Sequence, residues 1–266
     1  MGPLARGTSG LFDAHAHLTD RRFADLDAVL ARARAAGVRA VLTCGEDVAS
    51  SEEAIRLAER HPMVAVAVGI HPHRATTCDR EALARLAALA RHASVIAIGE
   101  IGLDFSGRSA PRDAQERAFD AQLRLAAELG LPVVVHVRDA GAEVRARLDA
   151  VPVAGQVHSY SEGPDEVAEW VRRGSRLSFS GTLTFPRNAH LRAAVRAAPE
   201  GRLLFETDAP YLAPQAHRGR RNEPAFVAET IASAARERGV AAADLAESAW
   251  RNAVALFGAR LAERAA

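Results

Sequence analysis

The sequence of 266 residues contains no lysine, so arginine supplies all 34 of the charges counted as Lys plus Arg. This absence excludes a Schiff-base lysine and a lysine general base. It also excludes a carbamylated lysine that bridges two metal ions. If this chain holds a pair of ions, the side chain that bridges them must be a carboxylate.

Cysteine and long apolar runs are also scarce. Cys44 and Cys78 are isolated and form no C-x-x-C pair, so we expect a reduced, cytoplasmic protein. No apolar run reaches transmembrane length, and the first ten residues lack the apolar segment of a signal peptide, so we expect no membrane partner. The net charge of +1 gives no overall attraction to nucleic acid, although a local arginine patch can still bind phosphate. No obligate protein partner is evident.

The chain does contain a regular alternation of short β-rich runs and longer helical patterns. Such alternation implies parallel strands joined by right-handed crossovers, and eight units favour a closed α/β fold, the TIM-type (β/α)8 barrel. The predicted strands are 11–17, 40–44, 64–70, 95–103, 132–137, 156–160, 176–180 and 203–207. The predicted helices are 22–36, 50–60, 80–90, 112–128, 142–150, 165–173, 189–198, 223–238 and 243–264. We predict a single barrel domain over residues 11–266, preceded by a flexible N-terminal extension over residues 1–10.

Side chains that can bind metal recur at the ends of these strands. His15 and His17 end the first strand, and both point to the same face because side chains alternate along a strand. In parallel barrels the carboxyl ends of the strands form one mouth, where the active site lies. The residues expected to meet there are His15, His17, Glu100, His136, His158 and Asp208. One such histidine is more often structural than functional, but the joint pattern predicts a site.

Four histidines and two carboxylates exceed the three protein ligands of a mononuclear catalytic zinc site. The set suits two divalent metal ions that share a bridging carboxylate. Imidazole favours Zn or Mn, and the carboxylates leave Mg open. Two ions about 3.5–4 Å apart hold the attacking and leaving oxygens of a hydrolysis and lower the pKa of bound water. These residues therefore predict a metal-dependent hydrolase.

Seven ordered motifs resemble those of the TatD-like metal-dependent deoxyribonucleases of the amidohydrolase superfamily. They are Asp13-Ala-His-Ala-His17, Gly69-Ile-His-Pro-His73, Gly99-Glu-Ile-Gly-Leu-Asp104, Leu131-Pro-Val-Val-Val-His-Val-Arg-Asp139, Phe179-Ser-Gly-Thr-Leu-Thr-Phe185, Glu206-Thr-Asp-Ala-Pro-Tyr-Leu-Ala-Pro214 and Arg221-Asn-Glu-Pro224. The resemblance covers most of the chain. It implies a TIM-type barrel with DNA or an oligonucleotide as substrate.

The resemblance also implies how the ligands are shared. One ion is expected on His15, His17 and Asp208, a second on His136 and His158, and Glu100 between the two. Asp208 would also take a proton from the attacking water, so Asp208 and Glu100 are the predicted catalytic residues. We expect Asp13 to be a buried partner of a ligand histidine.

Five further residues are candidate substrate contacts. His71 and His73 either contact a phosphate or are polar loop residues beside a proline. Arg138 should face the same side as His136, where its guanidinium suits a phosphodiester oxygen, unless a neighbouring acid pairs with it. Arg221 lies in a basic patch expected beside the mouth. Asn222 either caps the next helix or lies in a loop that holds substrate.

The leading interpretation is a deoxyribonuclease that cleaves phosphodiester bonds of DNA ends or single strands. One alternative is a two-metal amidohydrolase that acts on an amide, lactone or ester, since the same ions can polarise a carbonyl. Another is a non-catalytic metal- or nucleic-acid-binding protein, which the full ligand set argues against. The chain departs from the family pattern at residues 159–162 and 105–107, in two predicted substrate loops.

Overall fold

The computed structural model describes residues 10–107 and 110–265. The predicted N-terminal extension, apart from Gly10, lies outside the described residues. Eight parallel strands form one sheet in which each strand pairs with the next along the chain. They are β1 (Leu11–Ala16), β2 (Val38–Cys44), β3 (Val64–Val68), β4 (Val95–Asp104), β5 (Val133–Arg138), β6 (Gly155–Val157), β7 (Arg176–Phe179) and β8 (Leu203–Phe205). This order confirms the predicted TIM-type barrel.

The sheet closes where the segment after β8 meets the end of β1. The Asp208 N–H donates to the His15 carbonyl at 2.9 Å, and the His17 N–H donates to the Ala209 carbonyl at 2.7 Å. Ala16 and Ala209 form a parallel bridge at the same point. The closure therefore brings the two predicted ligands at the end of β1 next to Asp208, which lies almost 200 residues later, as the barrel geometry requires.

Ten α-helices connect and cover the strands in the described part of the chain. They are α1 (Leu26–Ala35), α2 (Val48–Arg60), α3 (Arg80–Leu89), α4 (Arg112–Leu129), α5 (Gly141–Ala150), α6 (Val167–Arg172), α7 (Ala189–Ala197), α8 (Val227–Arg238), α9 (Ala242–Phe257) and α10 (Ala259–Arg264). Local chemistry sets several ends. The Asp47 side chain caps α2 by accepting the Ser50 N–H at 2.8 Å. Gly37, Gly130 and Gly174 follow helices with φ of 90°, 64° and 78°, which confirms the predicted helix stops.

The last predicted helix, 243–264, is wrong as a single element. Gly258 adopts a φ of 78° and divides it into α9 and α10. The helix predicted over 223–238 begins with a 3-10 turn, Pro224–Phe226, before α8. The apolar periodicity of the sequence continues through Gly258 and through the 3-10 turn, so it does not indicate the change of backbone conformation at either place.

Two of the three apolar clusters in the described residues hold the barrel, and the third is a small one around Ala114. The larger of these two lies between the strands and the surrounding helices. The smaller of the two fills the interior of the barrel, and we call its part at the amino ends of the strands the closed end. There, Phe12 and Leu204 pack with Leu256, Phe257 and Leu261 from α9 and α10. The helix pair therefore covers the end of the barrel opposite the predicted ligands.

None of the helices in residues 10–107 and 110–265 combines the length and the hydropathy needed to cross a bilayer.

Candidate metal centre

The structure brings all six predicted ligands together at the mouth formed by the carboxyl ends of the strands. Five of them are buried and His136 is partly buried. The members of this cluster are His15, His17, Glu100, His136, His158 and Asp208. His71, from the 3-10 segment after β3, joins the same cluster.

One oxygen of Glu100 faces the histidines of β1. Glu100 Oε2 lies 3.3 Å from His15 Nε2 and 3.6 Å from His17 Nε2. Asp208 approaches the same two rings, with its Oδ1 at 3.8 Å from His15 Nε2 and 3.5 Å from His17 Nε2. Two imidazoles and two carboxylate oxygens thus surround one point.

The other oxygen of Glu100 faces a second group of histidines. Glu100 Oε1 lies 2.8 Å from His136 Nδ1, 3.2 Å from His158 Nε2 and 3.4 Å from His71 Nε2. The carboxylate therefore stands between two sets of rings with one oxygen toward each. This is the arrangement that a bridging ligand needs.

The donor atoms fit divalent metal by type and spacing. Three sets each have their donor atoms within 4.8 Å of one another. They are His15 with His158 and Asp208, His15 with His17 and Glu100, and His71 with Glu100 and His136. Imidazole nitrogens mixed with carboxylate oxygens suit Zn and Mn. His71 was predicted as a substrate contact, and its ring lies in one of these sets.

Both carboxylates are held in the ionised form. Burial alone would raise the pKa of Glu100, but the charges of His158 and His71 keep that pKa well below its usual range. Burial also acts to raise the pKa of Asp208, but the hydrogen bond from His17 and the neighbouring histidine charges together lower it. An ionised carboxylate is the form that binds a cation.

Glu206 orients the ring of His158, a role that sequence reasoning missed. Glu206 is fully buried, and its Oε1 accepts the His158 Nδ1–H at 2.9 Å and the Ser159 backbone N–H at 2.9 Å. With Nδ1 engaged, His158 presents Nε2 to the cluster. The available signal was the position of Glu206 two residues before Asp208, which alternation places on the same face.

Cys44 stands in a similar relation to His15. It is buried, as predicted for a small core residue, and its Sγ lies 3.4 Å from His15 Nδ1. His15 therefore also has its Nδ1 engaged and its Nε2 toward the carboxylates.

Asp13 is fully buried, but it supports the turn that carries Asp208 rather than a histidine ring. Its Oδ1 accepts the Thr207 backbone N–H at 2.8 Å, and its Oδ2 accepts the Thr207 hydroxyl at 2.5 Å. Asp208 follows with a left-handed φ of 58°, which costs a non-glycine residue about 1–2 kcal/mol. The hydrogen bonds of Asp13 help to hold Asp208 in that conformation.

His73 and Arg138 lie at the rim of the mouth. His73 Nε2 is 2.9 Å from Asp104 Oδ2, so this ring has an acidic partner. The Arg138 side chain is exposed at the end of β5 and makes no ion pair with any described residue. The salt bridge considered for Arg138 is therefore not formed within the described part of the chain.

Arg221 and Asn222 are not brought into the cluster. Arg221 donates to Asp25 Oδ1 at 2.6 Å and to Glu223 Oε1 at 3.0 Å, so its charge is already paired. Asn222 is buried, and its Nδ2 donates to the Thr207 carbonyl at 2.7 Å. Both side chains stabilise the loop after β8, and a substrate contact at these two positions stays a prediction.

The sequence and the fold of this chain are both similar to those of known proteins. A family model described as TatD related DNase matches residues 12–258. The "3'-5' ssDNA/RNA exonuclease TatD" of Enterobacter lignolyticus is 40% identical over 258 residues, covering 93% of this chain and 99% of that protein. The "uncharacterized metal-dependent hydrolase YabD" of Bacillus subtilis is 35% identical over 251 residues, covering 93% and 98%. The crystal structure of the TatD homologue YJJV from Escherichia coli superposes with a TM-score of 0.88 at 30% identity, covering 93% and 97%.

Proposed function

This chain belongs to the TatD related DNase family, and we propose that it is a metal-dependent 3'-5' exonuclease of single-stranded DNA or RNA. The single observation that supports this most strongly is the position of Glu100. Its Oε2 faces His15 and its Oε1 faces His158, at 3.3 Å and 3.2 Å. A carboxylate shared in this way favours a pair of ions over one.

We assign the ligands accordingly. His15, His17 and Asp208 would hold one divalent ion, and His136 and His158 the other, with Glu100 between them. His71 lies close enough to Glu100 Oε1, at 3.4 Å, to serve the second ion as well. The donor set accepts Zn, Mn or Mg, in that order of preference for imidazole-rich sites.

Bound ions would supply Lewis acidity to the phosphodiester and a nucleophilic water. The side chains then have separate tasks. Asp208 is ionised, reaches the mouth and would accept a proton from the attacking water. Glu206 keeps Nε2 of His158 directed toward Glu100. Asp13 fixes the turn of Asp208, so the proton acceptor stays in place.

A phosphodiester fits this mouth better than a neutral amide, lactone or ester. Arg138 stands beside His136 without an acidic partner among the described residues, and an unpaired guanidinium recognises an anionic oxygen. We also propose a cytoplasmic location, because Cys44 and Cys78 are both free thiols.

The decisive experiment is digestion of a 5'-labelled single-stranded oligonucleotide by protein loaded with Zn, Mn or Mg. Glu100→Ala and Asp208→Asn should each lose activity by at least about a thousandfold, equivalent to roughly 4 kcal/mol of transition-state stabilisation. Glu128→Ala is the matched control, because Glu128 is exposed on α4. A fully active Glu100→Ala would refute the proposal. Turnover of neutral esters without nuclease activity would favour the amidohydrolase alternative.

A further inference from the structure

A groove runs from the metal centre between the segments that follow β5, β6 and β7. It encloses a cavity of about 440 Å³, within the range of ligand sites. His136, His158 and Asp208 line it where it meets the centre. Its outer walls carry Arg138, Ser161, Phe185 and Arg187, and we call it the arginine groove. A chain bound at the metals can therefore continue into it.

The two guanidinium groups of the arginine groove have no direct ion-pair partner in the described part of the chain. Arg138 and Arg187 are exposed, and neither makes an ion pair or side-chain hydrogen bond with any residue in 10–107 or 110–265. His190 lies on the same wall, and Asp139 is the acid that lines the groove beyond the metal centre in the described structure. The groove thus presents two guanidinium groups without partners.

The loops after β1 and β8 are different. Arg22 pairs with Asp20 at 2.7 Å, and Arg221 pairs with Asp25 at 2.6 Å. The charges of these two arginines are therefore neutralised by acidic side chains of the protein. The contrast indicates that an anionic chain leaves the centre through the arginine groove.

The segment that carries Arg187 is held firmly. The Arg192 guanidinium donates to the Phe185 carbonyl and to the Pro186 carbonyl, each at 2.8 Å. Asn188 Nδ2 donates to the Thr182 carbonyl at 2.9 Å. Arg187 therefore projects from a fixed backbone.

An apolar wall accompanies the charges. Phe185, Leu191 and Leu212 line the groove, and Leu212 is 47% exposed. The guanidinium of Arg218 lies 4.9 Å from the centroid of the Phe185 ring, at the groove edge. A positively charged groove that follows the backbone is one way in which proteins bind single strands without reading sequence.

We propose that the arginine groove binds the nucleotide next to the scissile bond, and that Arg187 with Arg138 contacts the adjoining phosphate of the strand. This rests on the proposed nuclease function and deepens it. The preferred substrate is then a single strand that carries at least one phosphate besides the scissile one. A dinucleotide, which has only the scissile phosphate, leaves Arg187 without its contact.

The first test compares thymidine dinucleotide with thymidine trinucleotide on the metal-loaded enzyme. The wild type should show a kcat/KM about tenfold higher or more for the trinucleotide, the range expected for one hydrogen bond to a charged group. Arg187→Gln should remove most of that advantage through KM, with kcat little changed. Arg124→Gln is the matched control, because Arg124 is exposed on the outer helix α4 and makes no ion pair with a described residue.

Three outcomes separate the claims. Equal kcat/KM for the two substrates in the wild type would overturn the inference while leaving the nuclease function intact. An Arg187→Gln variant that matches Arg124→Gln on the trinucleotide would also overturn it. If the wild type cleaves neither substrate, the proposed function has failed, and the groove is judged by binding alone.

The binding test uses metal-free protein and a fluorescein-labelled hexathymidylate, followed by anisotropy across a salt series. Each phosphate contact with a single strand contributes about 0.7 to the slope of log K against log salt. Arg187→Gln should reduce the slope by about that amount, and Arg124→Gln should leave it unchanged. Equal slopes for all three proteins would refute the groove as a strand-binding site.

Discussion

The two ends of the barrel are built from the same strands but hold opposite kinds of side chain. β1 places Phe12 at the closed end and His15 at the mouth. β8 and the segment after it place Leu204 at the closed end and Asp208 at the mouth. Within a few residues each strand passes from apolar packing to a cluster of charged groups.

This difference separates the part of the barrel that contributes stability, the closed end, from the part that carries the reactive groups, the mouth. Taking ionised groups out of water is unfavourable by several kcal/mol for each ion, before their mutual attraction is counted. The mouth contains Glu100 and Asp208, both ionised and both surrounded by imidazoles. The closed end, with its rings packed edge to face, contributes the apolar burial that offsets this. Four changes, from the largest expected effect to the smallest, test the division.

The largest effect on stability is expected at the closed end. Phe12 packs edge-on against Trp250 and Phe257, with ring centroids 6.2 Å and 6.0 Å apart. Phe12→Ala should lower the free energy of unfolding by about 3–5 kcal/mol, because it leaves a cavity between these rings. Urea denaturation measures this change. Val240→Ala, at an exposed position, should cost less than about 0.5 kcal/mol.

Activity of Phe12→Ala, assayed well below its melting temperature, should stay close to that of the wild type. A folded Phe12→Ala protein that loses activity as completely as Glu100→Ala would break the division between the two ends.

Metal removal should lower the free energy of unfolding only through the loss of contacts at the mouth. Metal at about 100 times its Kd should raise the free energy of unfolding by about 2.7 kcal/mol over protein in EDTA. The increment should be the same in Phe12→Ala, because distant sites contribute additively. It should shrink strongly in Glu100→Ala. Denaturation curves with and without EDTA give all three values, and an increment that disappears in Phe12→Ala would show that the ends are coupled.

Glu206→Gln tests how far metal affinity depends on the orientation of the His158 ring. The amide can still accept from Ser159 but no longer offers a carboxylate to His158 Nδ1. Metal affinity should fall about 10- to 100-fold, the usual effect of losing such a partner, which titration calorimetry measures. Glu128→Gln is the control with the same chemical change at an exposed site. Unchanged affinity in Glu206→Gln would restrict this residue to a structural role.

The smallest effect is expected at the rim, where charges are exposed. The hydrogen bond from Arg22 lowers the pKa of Asp20 to about 2. Because this pKa is depressed in the folded state, the stabilisation is fully present above about pH 4 and is lost as the pH falls through about 2. Asp20→Asn should cost less than about 1 kcal/mol near pH 7, and less still near pH 3. A larger cost at pH 3 than at pH 7 would contradict the sign.

The ligand cluster could be predicted because its six members lie toward the carboxyl ends of five strands, and a closed parallel barrel brings those ends together. Ion pairs and side-chain hydrogen bonds between residues far apart in the sequence could not be predicted. Arg221 looked available for phosphate until Asp25, 196 residues away, proved to pair with it. Asp13 was recognised as buried, but its partner Thr207 lies 194 residues later. The break at Gly258 depends on a backbone conformation that apolar spacing does not encode.

The helix pair that seals the closed end also sets an order of events during synthesis. Phe12 leaves the ribosome among the first residues of this sequence, whereas α9 and α10, which cover it, come after all eight strands. Until that pair emerges, a nascent barrel exposes a ring of apolar side chains at its base, the kind of surface that attracts chaperones and promotes aggregation. All six ligands of the metal centre precede α8 in the sequence, so they are translated before the helix pair that covers the closed end.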